Sequence, residues 1–318
     1  MVAAHRVMLY RSLLDTIGNT PVVELPNLSP SAEIRFFAKL EGQNPSGSVK
    51  DRIARAMIED AEREGRLTAG ATILEPTSGN TGVSIALVAK LKGYKVKVVM
   101  PDNVSVERTA LLRAFGAEIV FSEGLKGTNG SIERAQELAA ADPSLVMLYQ
   151  YGNDANPRAH YEGTGPEILR DLPEVDVFVA GLGTGGTLTG TGRYLKERKP
   201  SVKVIAAAPH PGDLVQGLRS LDDGFIPPVL DETVLDGRIV VDSRNSFAAT
   251  KELLDKEGVF AGISSGAVLR TAQRVAGRFE RANMLLLLAD GGWKYLSTDL
   301  WATEYDDLPD DLEAKVWW

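Results

Sequence analysis

The chain contains no cysteine, which excludes disulfides, thiolate metal sites and a cysteine nucleophile. Histidine is nearly as scarce. His5, His160 and His210 are the only three, so a histidine-rich metal centre is not expected, nor any bound metal. Long apolar runs are also missing. The greasiest stretch, Met284 to Ala289, is six residues long and cannot span a bilayer. No apolar N-terminal segment reads as a signal peptide. Positive charge is in deficit: 35 Lys and Arg against 43 Asp and Glu give a net charge of -8. That balance argues against nucleic acid or an anionic membrane as the main partner, and a soluble cytoplasmic protein is expected. What remains is ordinary globular material, 318 residues with 44% hydrophobic and 25% charged, enough for two modest domains or one large one.

Periodicity organises the chain from residue 71 onward. Strands are expected at 71–75, 95–100, 118–121 and 145–149, and helices at 81–92, 107–115 and 131–141, after an earlier helix-like run at 51–64. Asn80 or Ser78 would cap the second helix and Gly93 would stop it. After a loop rich in Gly, Asn and Asp at 151–156 the alternation restarts. Helix 157–172, strand 175–180, helix 186–196 and strand 203–208 are followed by helices 247–256 and 266–278 and strand 284–289. Such alternation implies crossover units, parallel sheets and an α/β fold.

Three short segments and one arginine carry candidate chemistry. Lys50 ends the turn Asn44-Pro45-Ser46-Gly47-Ser48-Val49 and opens a helix. A loop lysine is ordinarily a solvated one. At a helix N-terminus with Arg52 nearby, however, its ammonium form is disfavoured, as a nucleophilic amine requires. Gly183-Thr184-Gly185-Gly186-Thr187 lies between an apolar strand and a helix; it is either a tight turn or a nest of amides for a phosphate. The spacing Gly181-x-Gly183-x-x-Gly186 also meets the dinucleotide fingerprint. The next strand ends Ala206-Ala207-Ala208-Pro209, without the acid that would bind a ribose, so a monophosphate fits better than NAD. Thr77-Ser78-Gly79-Asn80-Thr81-Gly82 opens a second helix, as an ordinary cap or as a carboxylate pocket built from the hydroxyls of Thr77, Ser78 and Thr81. Gly262-Ile263-Ser264-Ser265-Gly266 opens a third. Arg219 stands beside Asp222 and Asp223. It is either half of a surface ion pair or a guanidinium free to meet a phosphate.

Together these segments, from Thr16-Ile17-Gly18-Asn19-Thr20-Pro21 to Asp290-Gly291-Gly292-Trp293-Lys294, resemble the cysteine synthase family, pyridoxal 5'-phosphate enzymes of the tryptophan-synthase-β type (fold type II). The resemblance implies two α/β domains with twisted, mostly parallel sheets and the cofactor in the cleft between them. The smaller, mobile, substrate-binding domain would be 41–152. The larger, phosphate-binding one would be 1–40 and 153–318, including the C-terminal tail. It implies Lys50 as the imine-forming lysine, Asn80 on the cofactor's 3'-oxygen, Gly183, Thr184, Gly185, Gly186 and Thr187 around its phosphate, and Ser264 facing its pyridine nitrogen. Gln150 would join Thr77, Ser78 and Thr81 on the substrate carboxylate. The implied reaction is β-replacement on an activated serine, through an α-aminoacrylate, to give L-cysteine. The stretch around Arg219 and the tryptophan-containing end (Trp317, Trp318) resemble the branch that uses O-phosphoserine, whose tail folds over the active site. O-acetylserine stays open as the substrate, and sulfide, thiosulfate or a protein thiocarboxylate as the sulfur donor. A homodimer is the family's habit. A serine or threonine dehydratase and a cystathionine β-synthase would share this machinery.

Overall fold

The computed structural model describes residues 9–77, 79–213, 215–298 and 300–302. Ser78, the acidic stretch 304–313, Trp317 and Trp318 lie outside the described residues. Two strands that periodicity does not predict, β1 (Val22–Glu24) and β2 (Ile34–Leu40), precede helix α1 (Lys50–Arg63). The predicted alternation then follows as β3 (Thr72–Pro76), α2 (Asn80–Lys92), β4 (Lys95–Pro101), α3 (Val106–Phe115), β5 (Glu118–Ser122), α4 (Gly127–Ala141) and β6 (Leu145–Met147). The helix expected at 157–172 is interrupted. It runs as α5 (Ala155–Ala159), a wide π turn at His160–Thr164, and α6 (Gly165–Asp171). Pro166 sits just past that turn, where its ring would crowd the carbonyl four residues back in a regular helix. The remainder is β7 (Val177–Gly181), α7 (Gly186–Arg198), β8 (Lys203–Ala208), β9 (Gly237–Val240), α8 (Ser243–Glu257), α9 (Ile263–Ala276) and β10 (Ala282–Leu288).

Two boundaries depart from expectation for physical reasons. The cap of α2 is Gly79, not Asn80 or Ser78: Asn80 is the first helical residue, and its amide is turned to Asp290. Helix α9 begins at Ile263, so the loop-like Ser264-Ser265-Gly266 lies inside it. A Cβ on Gly266 would fall 1.9 Å from the Ser246 carbonyl oxygen, so tight packing against α8 overrides weak helix propensity there.

The strands form a six-stranded sheet in the order β1-β2-β10-β7-β8-β9 and a four-stranded sheet in the order β5-β4-β3-β6. Every pairing is parallel except β1 with β2. The apolar run singled out by composition is thus the interior strand β10, flanked by β2 and β7 and covered on both faces. Alternate residues divide between those faces. Phe36, Val177, Val179, Met284 and Leu286 pack with Ala249 and Leu253 of α8 and Val268 and Ala272 of α9. Phe37, Phe178, Ala180, Leu285 and Leu287 pack with Ile168 of α6 and Leu188 and Leu195 of α7. In the smaller sheet Ile73, Val98 and Met100 face α1 and α2, while Leu74 and Val99 face Ala135 of α4.

The start of α1 is tied down by a buried cluster of charges. Arg52 donates to both Glu41 oxygens at 2.8 Å and to both Glu167 oxygens at 2.7 Å. Lys39 reaches Glu167 at 2.8 Å and the Thr20 carbonyl at 2.8 Å, and Thr20 and Asn44 close the remaining sides of Glu41. Burial alone would raise the Glu167 carboxyl, but Arg52 and Lys39 outweigh it and hold the group at about 2, against an ordinary 4.5. The stabilisation this provides is complete above about pH 4.5 and is lost as the pH falls toward 2. We expect Glu167→Gln, which leaves two buried cations short of a partner, to cost roughly 3–5 kcal/mol in urea denaturation at pH 7. The variant should also show a flatter loss of stability between pH 4.5 and 2; an unchanged acid limb would contradict this account of the cluster.

Candidate active site

Lys50 is the first residue of α1, and the segment before it is clamped to the end of β10. Val49 donates to the Ala289 carbonyl at 2.8 Å and Ser48 pairs with Asp290 across an isolated bridge. Ser46 grips Asp51 through both its amide and its hydroxyl. The Lys50 side chain is half-buried, reachable through a cavity of about 440 Å³ whose wall it forms. Burial pushes its amine down, while Asp290 and then Glu41 pull it up. The direction matches the sequence argument but the cause differs, because Arg52 is neutralised by Glu41 and Glu167 and enclosure of Lys50 itself dominates.

On the α2 side, Thr77, Asn80 and Thr81 line the same cavity, facing Gln150. Thr81 donates to Gln150 Oε1 at 2.6 Å, Gln150 Nε2 donates to the Pro76 carbonyl at 3.2 Å, and Thr77 Oγ1 accepts from the Gly79 amide at 3.1 Å. The backbone at Gln150 is itself constrained. Tyr149 has φ 57°, and the buried Glu75 accepts the amides of Tyr149 and Gln150 at 2.8 and 3.0 Å. Burial raises the Glu75 carboxyl to about 8, with the two amides pulling the other way. Asn80 is held by two partners, donating to Asp290 at 2.7 Å and accepting from Lys294 at 2.8 Å. Asp290 also accepts from the Tyr295 hydroxyl at 2.7 Å, and Arg108 donates to that hydroxyl at 3.1 Å. Burial lowers Lys294 to about 8.

Across the cavity, Gly183, Thr184, Gly185 and Thr187 surround a small recess that also touches Lys50. Gly185 caps α7 at φ 85°, and a Cβ on Gly183 would lie 2.8 Å from the Gly217 carbonyl oxygen. The loop therefore brings backbone close to the recess at a helix N-terminus, a geometry that can seat an anion. Gly186 is not among the residues lining the recess; it is buried behind it. Ser264, in the first turn of α9, lines the larger cavity near Gly217. Arg219 lines it too, donating to Asn129 of α4 at 2.9 Å and lying 4.8 Å from the Phe225 ring and 5.5 Å from that of Tyr151. The surface ion pair that the sequence left open for Arg219 is not what forms. Asp222 reaches Arg238 instead, and Asp223 accepts the Gly212 amide. Among the described residues no group of histidines and carboxylates is arranged to hold a metal ion.

Motif reading missed Asp290, Lys294, Tyr295, Arg108 and Glu75. The usable signal for Asp290 was its place just past the carboxyl end of an interior parallel strand, where α/β sites are built. An amine beside an anion seat, with a hydroxyl opposite, suits an aldehyde cofactor carrying a phosphate arm.

Comparison with known proteins agrees. The family model described as "Pyridoxal-phosphate dependent enzyme" matches residues 13–290. The chain is 43% identical over 300 residues to a "Probable cysteine synthase" of Bacillus subtilis, covering 91% of this chain and 96% of that protein. It is 42% identical over 306 residues to "Cysteine synthase A" of Escherichia coli, covering 90% and 94%. Among solved structures, O-ureido-L-serine synthase superposes with a TM-score of 0.88 at 40% identity, covering 96% of this chain and 98% of that one. The chain therefore belongs to the pyridoxal-phosphate dependent enzymes and, within them, to the cysteine synthase family. Its cofactor is pyridoxal 5'-phosphate.

Because Asp290 raises the Lys50 amine, Asp290→Asn should let Lys50 titrate at lower pH than in the parent. The pH profile of reductive methylation of that amine, followed on the cofactor-free protein, checks this. An unmoved midpoint would remove Asp290 from the electrostatics of Lys50.

Proposed function

We propose that this enzyme makes L-cysteine by β-replacement and takes O-phosphoserine in preference to O-acetylserine. The observation that carries the preference is Arg219, a guanidinium on the wall of the cavity that holds Lys50, lifted off its acidic neighbours and packed against Tyr151 and Phe225. Relatives named for cysteine synthesis support the reaction class.

In this reading the cofactor, when bound, supplies an electron-poor ring that makes the substrate's Cα proton removable. Lys50 would anchor it and serve as the general base for that proton, a role that the lowering of its amine by burial favours. Thr77, Thr81 and Gln150, with Ser78, bind the α-carboxylate, and Asn80 orients the ring's oxygen. The loop 183–187 holds the cofactor phosphate. Ser264 would face the ring nitrogen with a neutral hydroxyl, which suits loss of a β substituent over reactions that dwell on a carbanion. Arg219 takes up the charge of a departing phosphate. Residues 41–152 would move as a unit to shut water out, protecting the intermediate from hydrolysis. We further propose a cytoplasmic homodimer, on the family's habit and the acidic composition. Sulfide, thiosulfate and a protein thiocarboxylate are the donors to compare.

Lys50→Ala should abolish the visible absorption of the bound cofactor together with turnover; a retained band would reassign the lysine. Arg219→Ala should lower kcat/KM for O-phosphoserine about ten- to a hundredfold more than for O-acetylserine. Equal losses on the two substrates would refute the phosphate assignment. Steady pyruvate formation without thiol consumption would mark a dehydratase, and faster turnover with homocysteine a cystathionine β-synthase.

A further inference from the structure

We infer that Asn156 is a positioning residue that turns the Thr184 hydroxyl outward as a donor to the cofactor phosphate and joins the phosphate loop to the carboxylate pocket. The inference rests on reading 183–187 as the phosphate seat. Asn156 sits in α5, is 1% exposed, and belongs to none of the glycine-rich segments. Its Nδ2 donates to the Gln150 carbonyl at 2.8 Å and to Thr184 Oγ1 at 3.0 Å. The orientation of the amide follows from the Gln150 carbonyl, which can only accept: reversing the amide would set Oδ1 against that oxygen and lose the 2.8 Å bond.

Thr184 Oγ1 accepts a second hydrogen bond, from the Gly186 amide at 3.3 Å. A hydroxyl has two lone pairs and one hydrogen. With both lone pairs engaged on the protein side, the hydrogen is left for the recess that Thr184 lines with Gly183, Gly185 and Thr187. There an anion is the partner that benefits most from a fixed donor. The role of Gly186 changes accordingly. A Cβ at that position would lie 1.9 Å from Asn156 Oδ1. The glycine is required so that Asn156 can seat, rather than to let the phosphate approach.

The other bond of Asn156 reaches the far side of the site. Gln150 contacts Thr81 through its side chain, while its backbone amide is held by Glu75 and its carbonyl by Asn156. One buried amide therefore spans the phosphate loop and the carboxylate pocket.

The test compares two ligands on cofactor-free protein: pyridoxal phosphate, and pyridoxal, which lacks the phosphate. Asn156→Ala and Thr184→Val should each weaken pyridoxal phosphate binding by roughly tenfold or more and leave pyridoxal binding within about twofold. Combined, they should cost no more than the larger single loss, since both act through the one Thr184 hydroxyl. Asn156→Asp, isosteric but without the N–H donor, should show the same phosphate-specific loss and serves if the alanine variant does not fold. Losses that multiply, equal losses for the two ligands, or an unaffected Asn156→Ala would overturn the inference. If the parent protein bound pyridoxal and pyridoxal phosphate equally well, the phosphate-seat reading itself would fall instead.

Discussion

Arg52, caught between Glu41 and Glu167, is the constraint on which the site depends. Four charge-assisted hydrogen bonds of 2.7–2.8 Å leave its guanidinium a single geometry, and the residue two positions before it is Lys50. A lysine has four rotatable bonds, so its amine is placed only as well as its backbone is placed. The cluster fixes that backbone from one side while Val49 and Ser48 fix it from the other, against the end of β10. Isolated buried ion pairs seldom repay their desolvation. Here Thr20, Asn44 and the Asn19 amide satisfy the remaining lone pairs, so what the cluster supplies is a defined position.

Lys50 and the loop at 183–187 stood out in the sequence because the physics that marks them is local: a turn before a helix, and glycines where a helix begins. The alternation of strands and helices was legible for the same reason. Partnerships between distant segments were not. Arg52 and Glu167 are 115 residues apart, Asn80 and Asp290 210 apart, and no periodicity encodes which acid meets which base. β1 and β2 escaped because they precede the regular alternation, and β2 joins the parallel sheet by pairing with β10, near the opposite end of the chain. The π turn at 160–164 was hidden too, since Pro166 alone does not say whether a helix stops, bends or widens.

His160 shows how such a defect is used. The wide turn buries its ring, with Nδ1 2.9 Å from the Thr164 hydroxyl and Nε2 3.1 Å from Thr187. Burial, then the nearby Arg52 and Lys50, push the ring down to about 3. It is therefore neutral near pH 7, and behaves there as a fixed dipole behind the loop rather than as a titrating group.

Arg219 donates a hydrogen bond to Asn129, a residue of α4, which covers the four-stranded sheet, while its own backbone hangs from Leu182 beside the six-stranded sheet. A guanidinium carries five N–H groups, so this bond leaves donors to spare. The side chain proposed to read the leaving group is also tethered to α4 across the cavity it lines. On the proposed reading, discrimination among substrates and the link between α4 and the six-stranded sheet are loaded onto a single cation. A mutation that lets α4 drift would register as altered substrate choice, though it lies far from the bond being broken.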